Sequence, residues 1–377
     1  MTQEYETPTA AVVQECKRQK SAFIGRYAQS SDRQGLVQTV TVLVAIAALW
    51  GWAAIIEKMN IGMVLALSVG LGMLQLRVFV LMHDCGHGSL FRSVRLNKVF
   101  GFVFGVLTGM PQYVWSKHHN YHHVTNGDWE KYRGPLSILS VDEYDALSPS
   151  GQRWYVRIRH VALAPLGGLI YLLVNPRLTW IKGTAAMFRH AVRYIWVRPR
   201  TTFRAHMAAF KTRYWATAAE YRHMTLNNLV LLTTWVLMVG LMGPARFFSL
   251  YVLSMALAGG IGLLLFAVQH NFEHSYATAE PHWDYDMAAL QGTSFLVLPG
   301  WLNWFTANIG YHHIHHLSAR IPNYRLTQCH AEHEHLFATV TRLRIRDIQR
   351  SLRYILWDPT LHRLVTVAGH ESSRAYV

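Results

Sequence analysis

Twelve of the chain's 22 histidines lie in four short blocks: HDCGH at 83–87, KHHNYHH at 117–123, QHNFEH at 269–274 and HHIHH at 312–316. Imidazole is the commonest protein ligand for a transition metal. Twelve imidazoles are too many for one ion and suit two. His83 and His87 are four residues apart, as are His270 and His274. On a helix such pairs share one face and can address one metal together, although either pair alone also fits a helix cap at a membrane interface. His119, His122 and His123 form HxxHH, and so do His312, His315 and His316. The first histidine of each triplet shares a face with the other two. Those two lie on adjacent faces and can reach different ions. His118 and His313 face away from the triplets they adjoin, so a supporting or surface place is expected for both.

The donor type narrows the metal. Many imidazoles, few carboxylates and no thiolate pair suit iron, zinc or copper. A catalytic zinc site takes three ligands and keeps one open position, which would leave most of these histidines unused. Two irons account for the number, because two centres share the electrons needed to split dioxygen. Neutral imidazoles also bring no charge to desolvate at a membrane edge. Asp84 and Glu273, inside the first and third blocks, are either acceptors for imidazole N–H groups or ordinary exposed carboxylates. Cys16, Cys85 and Cys329 form no CxxC pair, so neither a disulfide framework nor a thiolate metal site is indicated.

The elements that position these blocks read as membrane spans. The chain is 51% hydrophobic and 15% charged, well below the charge of a soluble domain. Apolar runs at 36–56 and 61–82 are joined by a very short connection, as are runs at 226–242 and 247–268. Each pair must fold back as an antiparallel hairpin, and the hairpins deliver His83 and His270 to the side from which they began. The second run is interrupted by Gln75 and Arg77 near that end. The far-side turns carry only Lys58 and Arg246, although the net charge is +15. The positive-inside rule therefore makes the histidine side cytoplasmic and explains the basic balance without nucleic acid. Stretch 99–110 is too short to span. Stretch 161–174, with Pro165 and two glycines, reads as buried or re-entrant, because a span there would divide the histidine blocks across the membrane. Stretch 177–225, with many Arg among aromatics, reads as helices at headgroup level. The N-terminus reads as a polar arm with room for an interfacial helix carrying Lys17, Arg18, Lys20, Arg26 and Arg33, and it lacks a signal-peptide core. The expected fold is an all-α integral membrane protein of four transmembrane helices, in two hairpins, with a cytoplasmic helical cap carrying the histidines. Residues 1–35 form the arm, 36–330 the membrane domain and 331–377 a cytoplasmic C-terminal segment.

HDCGHGSLF, KHHNYHH and LPGWLNWFTANIGYHHIHHLSARIPNYRL resemble the histidine boxes of the membrane fatty acid desaturases, the last being similar to bacterial acyl-lipid enzymes. The resemblance covers roughly residues 40–330. It implies dioxygen-dependent introduction of a cis double bond into a fatty acyl chain at two non-haem irons. The implied ligands and catalytic residues are His83, His87, His119, His122, His123, His270, His312, His315 and His316. His274 is a tenth candidate ligand, from the place of a comparable residue after the fourth span in relatives. No cytochrome b5 segment is recognised, so electrons would come from a ferredoxin, flavodoxin or similar donor. The substrate would be a lipid-linked, thioester or free fatty acyl chain. The location would be a bacterial inner membrane, with both termini cytoplasmic.

An acyl chain has no polar handle near its target carbon, so an apolar tunnel must set its register. Trp115, Trp301, Trp304, Phe305 and the run 99–110 are candidates for its lining. Interfacial anchoring is the competing reading for each tryptophan. Lys117 and Arg320 are candidates for holding an anionic head, or simply part of the cytoplasmic charge. The same boxes occur in fatty acid hydroxylases and alkene-forming decarboxylases, which remain alternatives. A metal transporter is disfavoured, because the four runs contain no histidine and almost no ionisable group to form a path.

Overall fold

The computed structural model describes residues 8–134, 136–197, 201–279 and 281–374. The first seven residues of the expected arm, residues 198–200 of the headgroup-level stretch and the last three of the C-terminal segment lie outside them. Five helices open the chain: α1 (Pro8–Tyr27), α2 (Asp32–Ile55), α3 (Ile61–His87), α4 (Val94–Leu107) and α5 (Gln112–Thr125). Strand β1 (Leu139–Ser140) and helices α6 (Val141–Asp145) and α7 (Pro149–Arg157) follow. Next come α8 (Ala164–Leu169), a π-helical turn at Ile170–Val174, α9 (Asn175–Val197), α10 (Phe203–Ala208), α11 (Ala218–Met242) and α12 (Pro244–His270). The last third holds α13 (Tyr285–Gln291), β2 (Phe295–Val297), α14 (Gly300–Phe305), α15 (His312–Leu317), α16 (Asn323–Glu332), β3 (Arg342–Arg344), α17 (Ile348–Ser351), β4 (Tyr354–Asp358), β5 (Arg363–Thr366) and α18 (Val367–Arg374).

Among the described residues, five helical runs are long and apolar enough to cross a membrane, where the sequence suggests four. They are α2, α3, α11, α12 and the continuous run Val161–Val197. Pro165 does not break that run, because it lies in the first turn of α8, where a missing N–H costs nothing. Its glycines serve contact rather than interruption. A Cβ on Gly168 would sit 2.1 Å from the backbone carbon of Gly259, so α8 crosses α12 backbone to backbone, as small residues allow between membrane helices. Large apolar side chains point outward from α2 and α11, among them Val37, Val44, Val236 and Leu237. Such surface suits lipid rather than water, and the chain is a membrane protein.

The long helices have legible ends. Ser31 and Asn60 cap α2 and α3 by accepting from Gln34 N and Met63 N. Gly243, at φ +81°, makes the turn into α12, which Pro244 starts. Leu49 meets Gly70 and Gln38 meets Arg77 between α2 and α3. Arg246 donates to Ala53 O at 3.2 Å and Glu57 O at 3.1 Å, satisfying carbonyls left free where α2 ends. The core between α3 and α12 includes Val78, Leu81, Met82, Tyr251 and Met255.

The N-terminal stretch is not a free polar arm. Helix α1 buries Val13, Cys16, Phe23 and Tyr27 against Leu326, Cys329, Phe337 and their neighbours. Its cations pair inward, Lys17 with Asp284 at 2.6 Å and Lys20 with Asp286 at 2.5 Å. Two small sheets add to the mostly helical fold. Strand β4 lies between β1 (parallel) and β5 (antiparallel), and β2 pairs in parallel with β3. They tie the end of the chain to the loops around the histidines, and Trp357 stacks on Trp129 at 4.4 Å.

Candidate metal centre

Nine imidazoles converge in two groups. His83, His87, His119, His123 and His315 form the first, and His122, His270, His312 and His316 the second; within each, one nitrogen per ring lies within 4.8 Å of the others. The elements explain the division. Helix α3 continues through His87 and presents both its histidines to the first group. On α5, His119 and His123 share a face and join the first group, while His122, a residue round the helix, joins the second. On α15 the split reverses: His312 and His316 join the second group and His315 the first. Helix α12 adds His270. Gly86 lets α3 and α5 approach, since a Cβ there would stand 2.4 Å from Ser116 Oγ.

The nitrogens are set up as donors to a cation. His119 and His123, His123 and His315, and His270 and His312 each bring Nε2 atoms to 3.0 Å. His87 Nε2, His316 Nε2 and both ring nitrogens of His122 are buried without a hydrogen-bond partner. Unpaired buried nitrogens are costly, and metal ions relieve that cost. Burial first, then the neighbouring imidazoles, holds His119, His122, His123, His312, His315 and His316 far below the usual histidine value. They stay neutral with a free lone pair, as metal binding requires. The outer nitrogens are fixed as well. His83 Nδ1 faces Asp84 Oδ1 at 3.0 Å, and Asp84 Oδ2 accepts from the backbone and side chain of Asn323. His270 Nδ1 faces Gly292 O at 3.3 Å. Such contacts orient a ligating ring. The donor set and its orphaned nitrogens fit two first-row metal ions.

A cavity of about 340 Å³ lies against both groups. His83, His119, His122 and His312 border it, with Phe79, Leu76, Met255 and Phe266 among its apolar walls. No charged side chain lines it among the described residues. Trp115 stacks on His119 at 4.5 Å and donates to Tyr171 OH at 2.8 Å, which holds one wall in place. Phe266 stands 5.0 Å from the His122 ring and 5.3 Å from that of His270.

Comparison with known proteins gives this site a family. The model of the family described as "Fatty acid desaturase" matches residues 60–347. The chain belongs to the fatty acid desaturase family. It is 32% identical over 343 residues to a "Fatty acid desaturase" of Bacillus subtilis (strain 168), covering 91% of this chain and 88% of that one. It is 26% identical over 258 residues to an "sn-1 oleoyl-lipid 12-desaturase" of Anabaena variabilis, covering 66% of this chain and 62% of the relative. A chloroplastic "sn-2 acyl-lipid omega-3 desaturase (ferredoxin)" of Helianthus annuus is 26% identical over 266 residues, 67% of this chain and 51% of its own.

Not every candidate residue of the sequence reaches the centre. His274 is exposed and outside both groups, because α12 ends at His270 and the chain turns through a φ of +64° at His274. Its Nδ1 lies 3.3 Å from Arg363 Nη1. Glu273 is also exposed and pairs with Arg350 at 2.7 Å, so of the two block carboxylates only Asp84 supports a ring. His118 is exposed at the cavity's edge, whereas His313 is fully buried and paired with His330 at 3.1 Å. Trp115 and Thr108, from the run 99–110, line the cavity. Trp301 is exposed, Trp304 lines a different cavity and Phe305 packs against the main core. Lys117 is exposed and pairs with Glu220 at 2.6 Å, and Arg320 is exposed. Sequence reasoning overlooked Phe266, Tyr171 and Asn323. Phe266 had a signal, one helical turn before His270; Asn323 lies in the IPNYRL string but had none.

Proposed function

We propose that this chain introduces a cis double bond into a fatty acyl chain, using dioxygen and two irons held by His83, His87, His119, His123 and His315 in one group and by His122, His270, His312 and His316 in the other. The observation that carries the reading is the apolar cavity bordered by both groups. The irons, when bound, supply the oxidising power that removes two hydrogens from neighbouring methylenes. The protein does the rest. The cavity walls hold a methylene against the histidines, where no polar group could hold it. Phe79, Trp115 and Phe266 keep water from the same space, and Asp84 and Gly292 O fix the rings of His83 and His270.

The architecture is proposed to be two antiparallel hairpins, α2 with α3 and α11 with α12, beneath a cytoplasmic cap. The Leu49–Gly70 and Gln38–Arg77 contacts support the first hairpin. The single turn at Gly243 supports the second. The run Val161–Val197 lies against α12 beside the cavity, and Tyr171 and Leu172 from it form part of the wall. The membrane is proposed to be a bacterial inner membrane, and the electrons to come from a separate ferredoxin or flavodoxin. The word "ferredoxin" in one plant relative's name favours that class.

The test is product analysis. Full-length protein, purified with iron and supplied with dioxygen, reduced ferredoxin and phospholipid, should yield acyl chains with one new internal cis double bond, located by mass spectrometry. His315→Ala should form no product while remaining folded in the membrane. A hydroxylated chain or a terminal alkene without an internal double bond would overturn the desaturation reading and leave the metal centre standing.

A further inference from the structure

A second cavity, of about 690 Å³, lies on the other side of α3. Gln75, Leu76 and Phe79 face the acyl cavity, whereas Arg77 faces this one. Arg77 is a basic residue within a span, and the proposed reaction gives it no task. Its side chain is only 4% exposed. The guanidinium donates to Trp304 O and to Gln38 Oε1, and lies over the Trp304 ring at 4.1 Å. Its Nε–H has no acceptor, and no carboxylate is in ion-pair contact with it among the described residues. Asp84 attracts it only from beyond ion-pair distance, being engaged with Asn323 and His83, and a buried cation so weakly compensated is unfavourable. Arg33 lines the same cavity, and no carboxylate does among the described residues. Asp32 is turned away, accepting from Ser93 N at 2.9 Å. Asn303 and Asn308 add amides to the wall. The first turn of the 24-residue helix α2 opens at the rim, its dipole favouring negative charge there.

We propose that this cavity binds a phosphate-type anion, clasped by Arg77 from within and Arg33 from the mouth. Its source is either the headgroup of an acidic phospholipid or a soluble phosphate ester. The start of α2, where the first span begins, puts the mouth at the depth of lipid headgroups, and Val37 and Trp304 supply an apolar rim. The site is separate from the acyl cavity. It stands near the metal centre all the same, because Asn323 in its wall donates to Asp84, which faces His83.

The test uses the full-length, metal-loaded protein in detergent. Native mass spectrometry would count retained phosphatidylglycerol against phosphatidylcholine, and calorimetry would titrate inorganic phosphate. Retention of one phosphatidylglycerol over phosphatidylcholine assigns the site to lipid. Phosphate binding without lipid preference assigns it to a soluble ester. In either arm, Arg33→Gln and Arg77→Gln should each weaken binding about tenfold, the worth of one charge-assisted hydrogen bond. Arg33 is exposed, so Arg33→Gln alone decides if Arg77→Gln does not fold. Arg346→Gln, an exposed cation outside the cavity, should change nothing. Binding in neither arm, or an equal loss in Arg346→Gln and Arg33→Gln, would overturn the proposal. Lipid and phosphate binding are read without turnover, so their failure leaves the proposed reaction untouched.

Discussion

Helices α3 and α12 do the same job and end differently. Each runs 27 residues and carries a histidine block at its C-terminal end. Helix α3 keeps its hydrogen bonding through His87 and stops at Gly88, whose left-handed φ of +69° closes the helix one residue after the second histidine. Helix α12 stops at its first histidine. Asn271 leaves helical geometry and donates to Tyr354 O at 3.0 Å, tying the chain to β4. The rule that residues four apart share a face therefore holds for His83 and His87 and lapses for His270 and His274. One group gathers five imidazoles and the other four. Spacing is a statement about a ligand pair only while the helix persists.

The largest test of this comparison is ligand removal. His87→Ala leaves four imidazoles in the first group; His270→Ala leaves three in the second. Both should lower product formation more than about a hundredfold, beyond the usual cost of losing an outer-sphere partner. Metal content should separate them. His270→Ala should lose one of two irons outright by elemental analysis, while His87→Ala should retain both with weaker affinity. Equal iron contents would erase the proposed difference between the groups.

The next effect concerns what holds the rings. His83 rests on a carboxylate and His270 on a backbone carbonyl, so only the α3 side can be weakened by substituting the partner's side chain. Asp84→Asn should cost roughly 10–100-fold in iron affinity, measured by competition with a chelator. An unchanged affinity would mean that Asp84 serves only to anchor Asn323.

A third effect concerns packing. Gly168→Ala pushes a Cβ into the backbone of Gly259, which no side-chain rotation relieves. The cost should be about 1–3 kcal/mol, seen as a lower thermal midpoint in detergent. Gly262 and Leu265 of α12 also line the cavity beside the histidines, so the variant should disturb turnover as well as stability. An unchanged midpoint would contradict the close crossing of α8 on α12.

Much of the centre was legible because helices translate spacing into faces. The reversed split of the two HxxHH triplets, His122 apart from His123 and His315 apart from His316, follows from adjacent residues pointing about 100° apart on a helix. What escaped was where elements stop or continue. Pro165 looked like a breaker and is a starter. The spacing of Val13, Cys16, Phe23 and Tyr27 fits a buried face on α1, but the cations between them fit an interfacial helix equally well, and the acids that meet Lys17 and Lys20, Asp284 and Asp286, lie far along the chain. Tyr171 became a wall of the cavity only because the run 161–197 lies against α12, which no local pattern encodes.

The smallest expected effect is at His274. An exposed ring outside both groups, facing Arg363, should be dispensable. His274→Ala should change stability by no more than about 0.5 kcal/mol and leave two irons and near-normal turnover. The paired variant Asn271→Ala is the sharper probe. Removing the side chain that ties the helix end to Tyr354 O frees the segment carrying His274. If the second group gains from a fifth imidazole, Asn271→Ala should then make iron retention sensitive to His274→Ala, which it is not in the wild-type background. Loss of iron in His274→Ala alone would show instead that the segment already reaches the second group when metal binds, and the difference between α3 and α12 would disappear.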